Sequence, residues 1–372
     1  MAGVGVGLIG TGFMGKCHAL AYAAVGRVFG DVAAPRLVAV CDTPAERAAA
    51  MGRQLGFGKA VADWRELVED PEVEVVSITV PNRLHREMAL GAIAAGKHVW
   101  CEKPLALTVP EAEEMAEAAA RAGVRTLVGY NYLRNPAYRH AQRLVAAGTI
   151  GRVVHFRGFV DEDYQADPEL AWTWRARLSE AGLGTLGDLG CHLVSLACGI
   201  CGPIESLVAD VATVHATRPL ADGSGRGTVE NEDIASALVR FRGGVSGVLT
   251  SSRSAWGRKN RLGFEVHGDR GMIVFEQERM NELKLYVNEG AVGEQGFRTI
   301  LSGPAHPPYA GFTPAPGHQL GFNDLKVIEA AEFLRSLAGG EKAYPDFSEA
   351  LEFERVIHAI DRAGRDGGRV AV

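Results

Sequence analysis

The stretch Val4-Gly5-Val6-Gly7-Leu8-Ile9-Gly10-Thr11-Gly12-Phe13-Met14-Gly15 decides how the rest of the chain is read. Residues 4–9 are an uncharged apolar run, as expected of a strand buried on both faces. Three glycines then follow at the spacing GxGxxG, and a helical pattern begins at once, with residues 16–25 expected in a helix. In a strand–turn–helix of this kind Gly10 makes the tight turn, and Gly12 lets the backbone approach a pyrophosphate. Gly15 brings helix and sheet close together, while Phe13 and Met14 open the helix whose free N–H groups face the phosphates. The stretch reads as a dinucleotide site.

Outward from it, short apolar runs alternate with Ala-rich helical stretches. Strands are expected at 37–41, 73–80, 98–101 and 126–129, and helices at 44–55, 84–95 and 110–122. That rhythm predicts a doubly wound, parallel Rossmann sheet over residues 1–129. After residue 130 the pattern changes to long extended segments joined by short turns such as Arg242-Gly243-Gly244 and Gly268-Asp269-Arg270. Residues 130–372 are therefore expected to form an α+β domain on an open, mainly antiparallel sheet. Helices are predicted at 136–147, 186–198, 322–338 and 348–364, and residues 216–228 are expected to be a mobile loop.

At 372 residues the chain is long enough for two such domains, each with its own core. Its 39 Lys+Arg against 45 Asp+Glu give a net charge of −6, which argues against nucleic acid or an anionic membrane as partner. No apolar run approaching the ~20 residues of a membrane span is evident, and the N-terminus lacks a basic leader region, so a cytoplasmic protein is expected. Six cysteines fit a reducing compartment. The pair in Cys198-Gly199-Ile200-Cys201 is too few ligands for a structural zinc site, and no metal is expected.

Asp42, at the end of the second strand, is placed to accept hydrogen bonds from an adenosine ribose diol. It lies 27 residues past Gly15, farther than the usual ~20, an excess explained by an insertion at 28–35. A carboxylate there repels a 2′-phosphate and so favours NAD over NADP; capping the helix near Pro44 is a compatible lesser role for Asp42. Glu102-Lys103-Pro104 follows the strand 98–101, at the carboxyl edge where ligands of parallel sheets bind. A lysine held there can share the proton of a substrate hydroxyl. Asp188 and His192 stand at i, i+4 on a predicted helix, which puts both on one face. A carboxylate beside an imidazole raises its basicity and fixes its tautomer.

In these motifs the chain resembles the glucose–fructose oxidoreductase, inositol dehydrogenase and rhizopine-catabolism (Gfo/Idh/MocA) family. The shared features run nearly end to end: the GTGFMG turn, Pro81-Asn82 with His85, and Gly96-Lys97-His98-Val99 leading into Glu102-Lys103-Pro104. They continue through Gly129-Tyr130-Asn131-Tyr132, Gly184-Thr185-Leu186-Gly187-Asp188-Leu189-Gly190-Cys191-His192, and the segment from Pro316-Gly317-His318 to Asn323-Asp324. The resemblance implies an NAD-dependent enzyme that oxidises a ring hydroxyl of a sugar, anhydrosugar or cyclitol. It places Pro81, Asn82, His85, Glu102 and Lys103 around the nicotinamide and its ribose. It sets Lys103, Asp188 and His192 at the reacting carbon, with either His192 or Lys103 as the base. Asn131, Tyr132, Trp174, Arg175, His318 and Asn323 are the further substrate contacts it implies, with Trp172 or Trp174 as an apolar platform.

Within the family, Ala171-Trp172-Thr173-Trp174-Arg175 and the GHQLGFND segment are most similar to members acting on levoglucosan or inositol. No Lys/Arg cluster for a phosphate is evident, so the substrate is expected to be unphosphorylated. A homodimer or homotetramer is expected, since an open sheet leaves a face to cover. Two other readings share the motifs: a glycosidase that keeps NAD bound and ends redox-neutral, and a non-catalytic dinucleotide sensor.

Overall fold

The computed structural model describes residues 3–372, which divide into two compact units. The first comprises residues 3–134 and 320–351, the second residues 135–319 and 352–372. The chain thus leaves the first unit close to the expected boundary at 129/130, but residues 320–351 return to it. Sequence proximity hides this return, because the helix of that segment packs on a helix some 300 residues earlier.

In the first unit six parallel strands alternate with helices: β1 (Gly5–Ile9), α1 (Phe13–Val28), β2 (Arg36–Cys41), α2 (Ala45–Leu55), β3 (Lys59–Val61), α3 (Trp64–Glu69), β4 (Val75–Ile78), α4 (His85–Ala94), β5 (His98–Cys101), α5 (Val109–Ala122) and β6 (Thr126–Val128). The strand order is β3-β2-β1-β4-β5-β6, the Rossmann arrangement, with every pairing parallel. β1, β4 and β6 are wholly buried, as strands covered by helices on both faces must be. Local chemistry sets the helix ends. Thr108 accepts a hydrogen bond from the Glu111 amide at the start of α5, with Pro110 in the first turn, and Gly123 closes that helix at φ +66°.

The second unit opens with α6 (Pro136–Ala146) and β7 (Val153–Asp161), followed by α7 (Leu178–Ala181), a π-turn at Leu186–Gly190 and α8 (Cys191–Cys201). The strands β8 (Ile204–Ala212), β9 (Thr217–Pro219), β10 (Arg226–Thr228), β11 (Ile234–Phe241), β12 (Ser246–Ser252), β13 (Arg261–Gly268), β14 (Gly271–Glu276), β15 (Glu282–Val287), β16 (Arg298–Leu301) and β17 (Val370–Ala371) complete it. Eight of these strands join β7 in a nine-stranded sheet of order β16-β15-β14-β13-β7-β12-β11-β8-β17. All its pairs are antiparallel except β7–β12. In β11 burial alternates residue by residue, so one face packs on the core while Ile234 and Leu238 point outward. The helix α9 (Phe322–Leu337) lies in the first unit, and α10 (Phe347–Asp366) begins there and ends in the second.

Three expectations change. Residues 216–228 hold a β9–β10 hairpin pinned by the buried Arg218, whose guanidinium donates to the carbonyls of Gln165 (2.5 Å) and Asp167 (2.7 Å). The helix expected at 186–198 begins as a π-turn and ends at Cys201. Finally, the run Leu178–Cys201 is long and apolar enough to cross a membrane by length and composition, yet 78% of its most apolar 18-residue window is buried inside the protein, as in a core helix.

Candidate active site

At the carboxyl edge of the parallel sheet, Gly10 adopts φ +90°, and a side chain there would strike the Thr79 carbonyl. A side chain at Gly15 would meet the Gly10 carbonyl at 2.2 Å, so helix and turn touch as expected. Gly12, by contrast, faces open space. The first turn of α1 has no side-chain cap and no acidic residue, which leaves its N–H groups to an anion. The turn therefore fits a pyrophosphate. Phe13 is largely exposed and stacks on Phe322 of α9 at 5.7 Å between ring centroids.

Asp42 ends β2 beside that turn. Its Oδ2 accepts from the Thr11 amide (2.9 Å), the Thr11 hydroxyl and Arg47 Nε (2.9 Å), and Oδ1 accepts from the Thr43 amide (2.7 Å). Partial burial works against its charge, but the bonds from Thr11, Thr43 and Arg47 hold the carboxyl below its ordinary range. It is anionic at neutral pH, as a ribose-diol acceptor needs to be. It does not cap α2 with its side chain; that helix starts at Pro44 without a side-chain cap.

Pro81 and Asn82 lie in the turn after β4, half-buried or exposed. His85 has a different place from the one expected: it is buried, with Nδ1 2.9 Å from the Pro104 carbonyl and Nε2 3.0 Å from that of Val80. Both ring nitrogens face backbone carbonyls, to one of which a neutral ring donates, so His85 sits between the loop after β4 and the loop after β5 instead of facing a cofactor.

Glu102 is likewise buried, not open to a ligand. Its Oε1 accepts from His18 Nε2 at 2.8 Å and from Lys326 Nζ at 2.5 Å, and the Lys103 amide lies 3.4 Å from Oε2. Burial opposes its ionisation, yet Lys326 and His18 keep it ionised far below the usual carboxylate range. Burial pushes His18 down to about 4, so its ring is neutral. The chain then orders itself: Tyr22 Oη and Ser77 Oγ stand 2.8 Å apart, Ser77 Oγ and His18 Nδ1 3.3 Å, and His18 Nε2 donates to Glu102.

Lys103 is half-buried at the sheet edge. After β6, Asn131 and Tyr132 sit in one 3-10 turn, both buried; Tyr132 packs edge-on against Phe322, and the Asn131 amide nitrogen meets no acceptor within the protein. A buried amide without a partner marks a place for a ligand oxygen. Asn323 is exposed in the first turn of α9.

In the second unit Asp188 lies in the π-turn and His192 in the first turn of α8. Tyr164 donates to Asp188 Oδ2 at 2.5 Å, and Arg175 Nη1 lies 3.5 Å from the same atom. Burial, and then the Asp188 charge, push the Tyr164 hydroxyl well above its ordinary value, so it stays a donor. Arg175 stacks over Trp174 at 4.6 Å. Trp172 is not a free platform: its indole donates to the Thr228 carbonyl at 2.8 Å, and Arg177 covers its ring. His318 is exposed, its ring 3.3 Å from the Pro316 carbonyl and its own carbonyl bound by Tyr309.

Sequence reading missed the residues that hold this cluster. Asn231 donates to the Arg175 and Gly182 carbonyls and accepts from Arg253, which pairs with buried Asp233 at 2.7 Å. Glu232 Oε1 accepts from the Leu186 amide, which anchors the π-turn. The polar run Glu230-Asn231-Glu232-Asp233 ahead of an apolar strand was the available signal. His18, Lys326 and Tyr164 carried none that spacing alone could show. Among the described residues no group of three or more His, Cys, Asp or Glu is placed to hold a metal ion. Burial pushes the Cys198 and Cys201 thiols up to about 12.

Residues 4–130 match the model of the GFO/IDH/MocA oxidoreductase family, NAD-binding Rossmann fold, and residues 138–274 match the GFO/IDH/MocA C-terminal domain. The chain is 37% identical over 373 residues to a levoglucosan dehydrogenase of Pseudarthrobacter phenanthrenivorans, spanning 97% of this chain and 96% of that one. A solved levoglucosan dehydrogenase in complex with NADH and levoglucosan superposes with a TM-score of 0.96 at 37% identity, over 100% of this chain and 99% of the other. An NAD binding oxidoreductase from Klebsiella pneumoniae gives 0.96 at 42% identity over the same shares.

Proposed function

The chain belongs to the GFO/IDH/MocA oxidoreductase family, and from that premise we propose that this NAD-dependent oxidoreductase takes an unphosphorylated anhydrosugar of the levoglucosan type. Its reaction class is the oxidation of a ring hydroxyl of a sugar, anhydrosugar or cyclitol to the ketone. The observation that carries the narrower substrate is the likeness to a levoglucosan dehydrogenase over 97% of the chain.

Bound NAD⁺ supplies the hydride acceptor; the chain supplies binding and proton traffic. Gly10, Gly12 and Gly15, with Phe13 and Met14 opening α1, hold the pyrophosphate, and Asp42 holds the adenosine ribose. Pro81, Asn82 and the turn at Lys103 border the nicotinamide end, with His85 and Glu102 supporting those loops from within. Lys103 takes the hydroxyl proton. His192 donates a hydrogen bond that positions the substrate, and Asp188 steadies it. Asn131, Tyr132, Trp174, Arg175, His318 and Asn323 complete the polar and aromatic contacts to the ring. We place the enzyme in the cytoplasm as a homodimer or homotetramer, covering the outward face of the nine-stranded sheet around Leu238, with no nucleic-acid or membrane partner.

The test is NADH formation by purified protein with levoglucosan, myo- and scyllo-inositol, glucose, xylose and galactose. A signal strongest with levoglucosan supports the reading. A preference for an inositol overturns the substrate, and product formation without net NADH supports the redox-neutral glycosidase.

A further inference from the structure

Lys326 is a lysine with no exposed surface, set in α9 between Leu325 and Val327. Its ammonium lies 2.5 Å from Glu102 and 2.8 Å from Glu329, with the Gly129 carbonyl at 3.5 Å and the Trp100 ring at 5.3 Å. Replacing a whole buried ion pair by apolar side chains is often neutral for stability, whereas removing Lys326 alone would leave the Glu102 carboxylate unpaired in the core.

The charge has a clear electrostatic consequence. Glu102 is the residue before Lys103, and its carboxylate is ionised within the core. Left alone, that anion would hold the neighbouring lysine in its charged form. The groups facing the cluster leave the balancing to Lys326. From α1 come His18, neutral above about pH 4, with Tyr22 and Cys17, whose ionisations burial pushes up; from α4 comes His85, whose ring burial keeps neutral. Arg134, in the turn after β6, pairs with Glu332 at 3.1 Å. Burial raises the Glu329 carboxyl, against the pull of Lys326. The same contact braces two strand ends. A side chain at Gly129 would place its first carbon 2.4 Å from Glu102, so β6 passes directly over this carboxylate on its way to Asn131.

We infer that Lys326 is a positioning residue of the proton transfer: its ammonium offsets the Glu102 carboxylate next to the Lys103 amide, so that the Glu102 charge does not raise the proton affinity of Lys103. The inference rests on the reading that Lys103 moves the substrate proton, and it adds a residue far off in sequence that tunes it.

The test reads Lys103 directly. The whole protein is labelled with a trace of acetic anhydride between pH 6 and 11, and acetylation of Lys103 is followed by peptide mass spectrometry. In Lys326→Met the titration midpoint of Lys103 rises by about one to two pH units. In Glu102→Gln it falls, and in the double variant Glu102→Gln/Lys326→Met it returns towards wild type. A midpoint that stays within 0.3 units (about a twofold change in the protonation constant) in both single variants overturns the inference. If Lys326→Met does not fold, judged by its thermal transition, Glu102→Gln carries the decision alone, since it preserves volume and must shift the midpoint downward. The limb of kcat/KM against pH that Lys103 sets moves with the midpoint, a response that mere loosening of α9 does not give. Full activity of Lys103→Met would instead defeat the functional reading and leave the labelling result standing, so the two failures are distinct.

Discussion

The hydroxyl of Tyr164 donates to the carboxylate of Asp188 at 2.5 Å, and Arg175 approaches the same oxygen at 3.5 Å. Asp188 is thus steadied by two residues from the loop that precedes its own turn, not by its helix alone. Tyr164→Phe removes a hydrogen bond to an ionised partner, worth roughly 1.5–3 kcal/mol. We predict a fall in kcat/KM of about tenfold or more with NAD⁺ affinity unchanged, since Tyr164 lies far in the chain from the phosphate turn. Steady-state kinetics checks this, and a wild-type kcat/KM would remove Tyr164 from the site.

The neutral, buried His18 predicts how the first unit responds to acid. Its folded value, about 4, lies below the ordinary 6.5, so the unfolded chain takes up the proton first as pH falls. The stability it contributes is complete above pH 6.5 and is lost as pH falls from 6.5 towards 4, by on the order of 2–3 kcal/mol. His18→Gln keeps a donor for Glu102 but cannot titrate. Urea unfolding at pH 7 and pH 4.5 should show a smaller loss in the variant by that amount; equal losses would mean the wild-type ring is already charged.

Asp42 predicts cofactor preference. Asp42→Ala removes an anionic acceptor from the end of β2 and leaves Arg47 Nε only the Thr11 hydroxyl at 3.3 Å. The KM for NAD⁺ should rise about ten- to a hundredfold, in line with one or two bonds to a charged group. The KM for NADP⁺ should fall, because a 2′-phosphate no longer meets a carboxylate. Parallel kinetics with both cofactors tests this; an unchanged ratio would leave Asp42 as a clamp for Thr11 only.

Much of this fold was legible because its signals are local. The apolar run before Gly10, the open helix start at Phe13 and the alternation through residue 128 each report on neighbours a few residues away. What stayed hidden depends on distant pairings. Lys326 reads as one of the five charged residues of α9 until it is seen against Glu102 at the end of β5, 224 residues earlier in the chain. Asn231 and Asp233 read as a polar turn until Arg253 and the Arg175 carbonyl are seen to need them. Glu102 and His85 were recognised as parts of the site, but their burial reverses the expected direction: they support the loops that carry Lys103, Pro81 and Asn82. The 216–228 hairpin carries no hydrophobic pattern to announce it; its short ladder and the buried Arg218, bonded to carbonyls some fifty residues earlier, hold it.

The most direct test of the account is the hydride-transfer rate of Lys103→Met with NAD⁺ and levoglucosan, measured as single-turnover NADH formation beside the wild type. The account predicts a rapid Lys103-dependent burst in the wild type and a loss of about a hundredfold or more in the variant, with NAD⁺ binding by fluorescence retained. Near-wild-type NADH formation in Lys103→Met would contradict it.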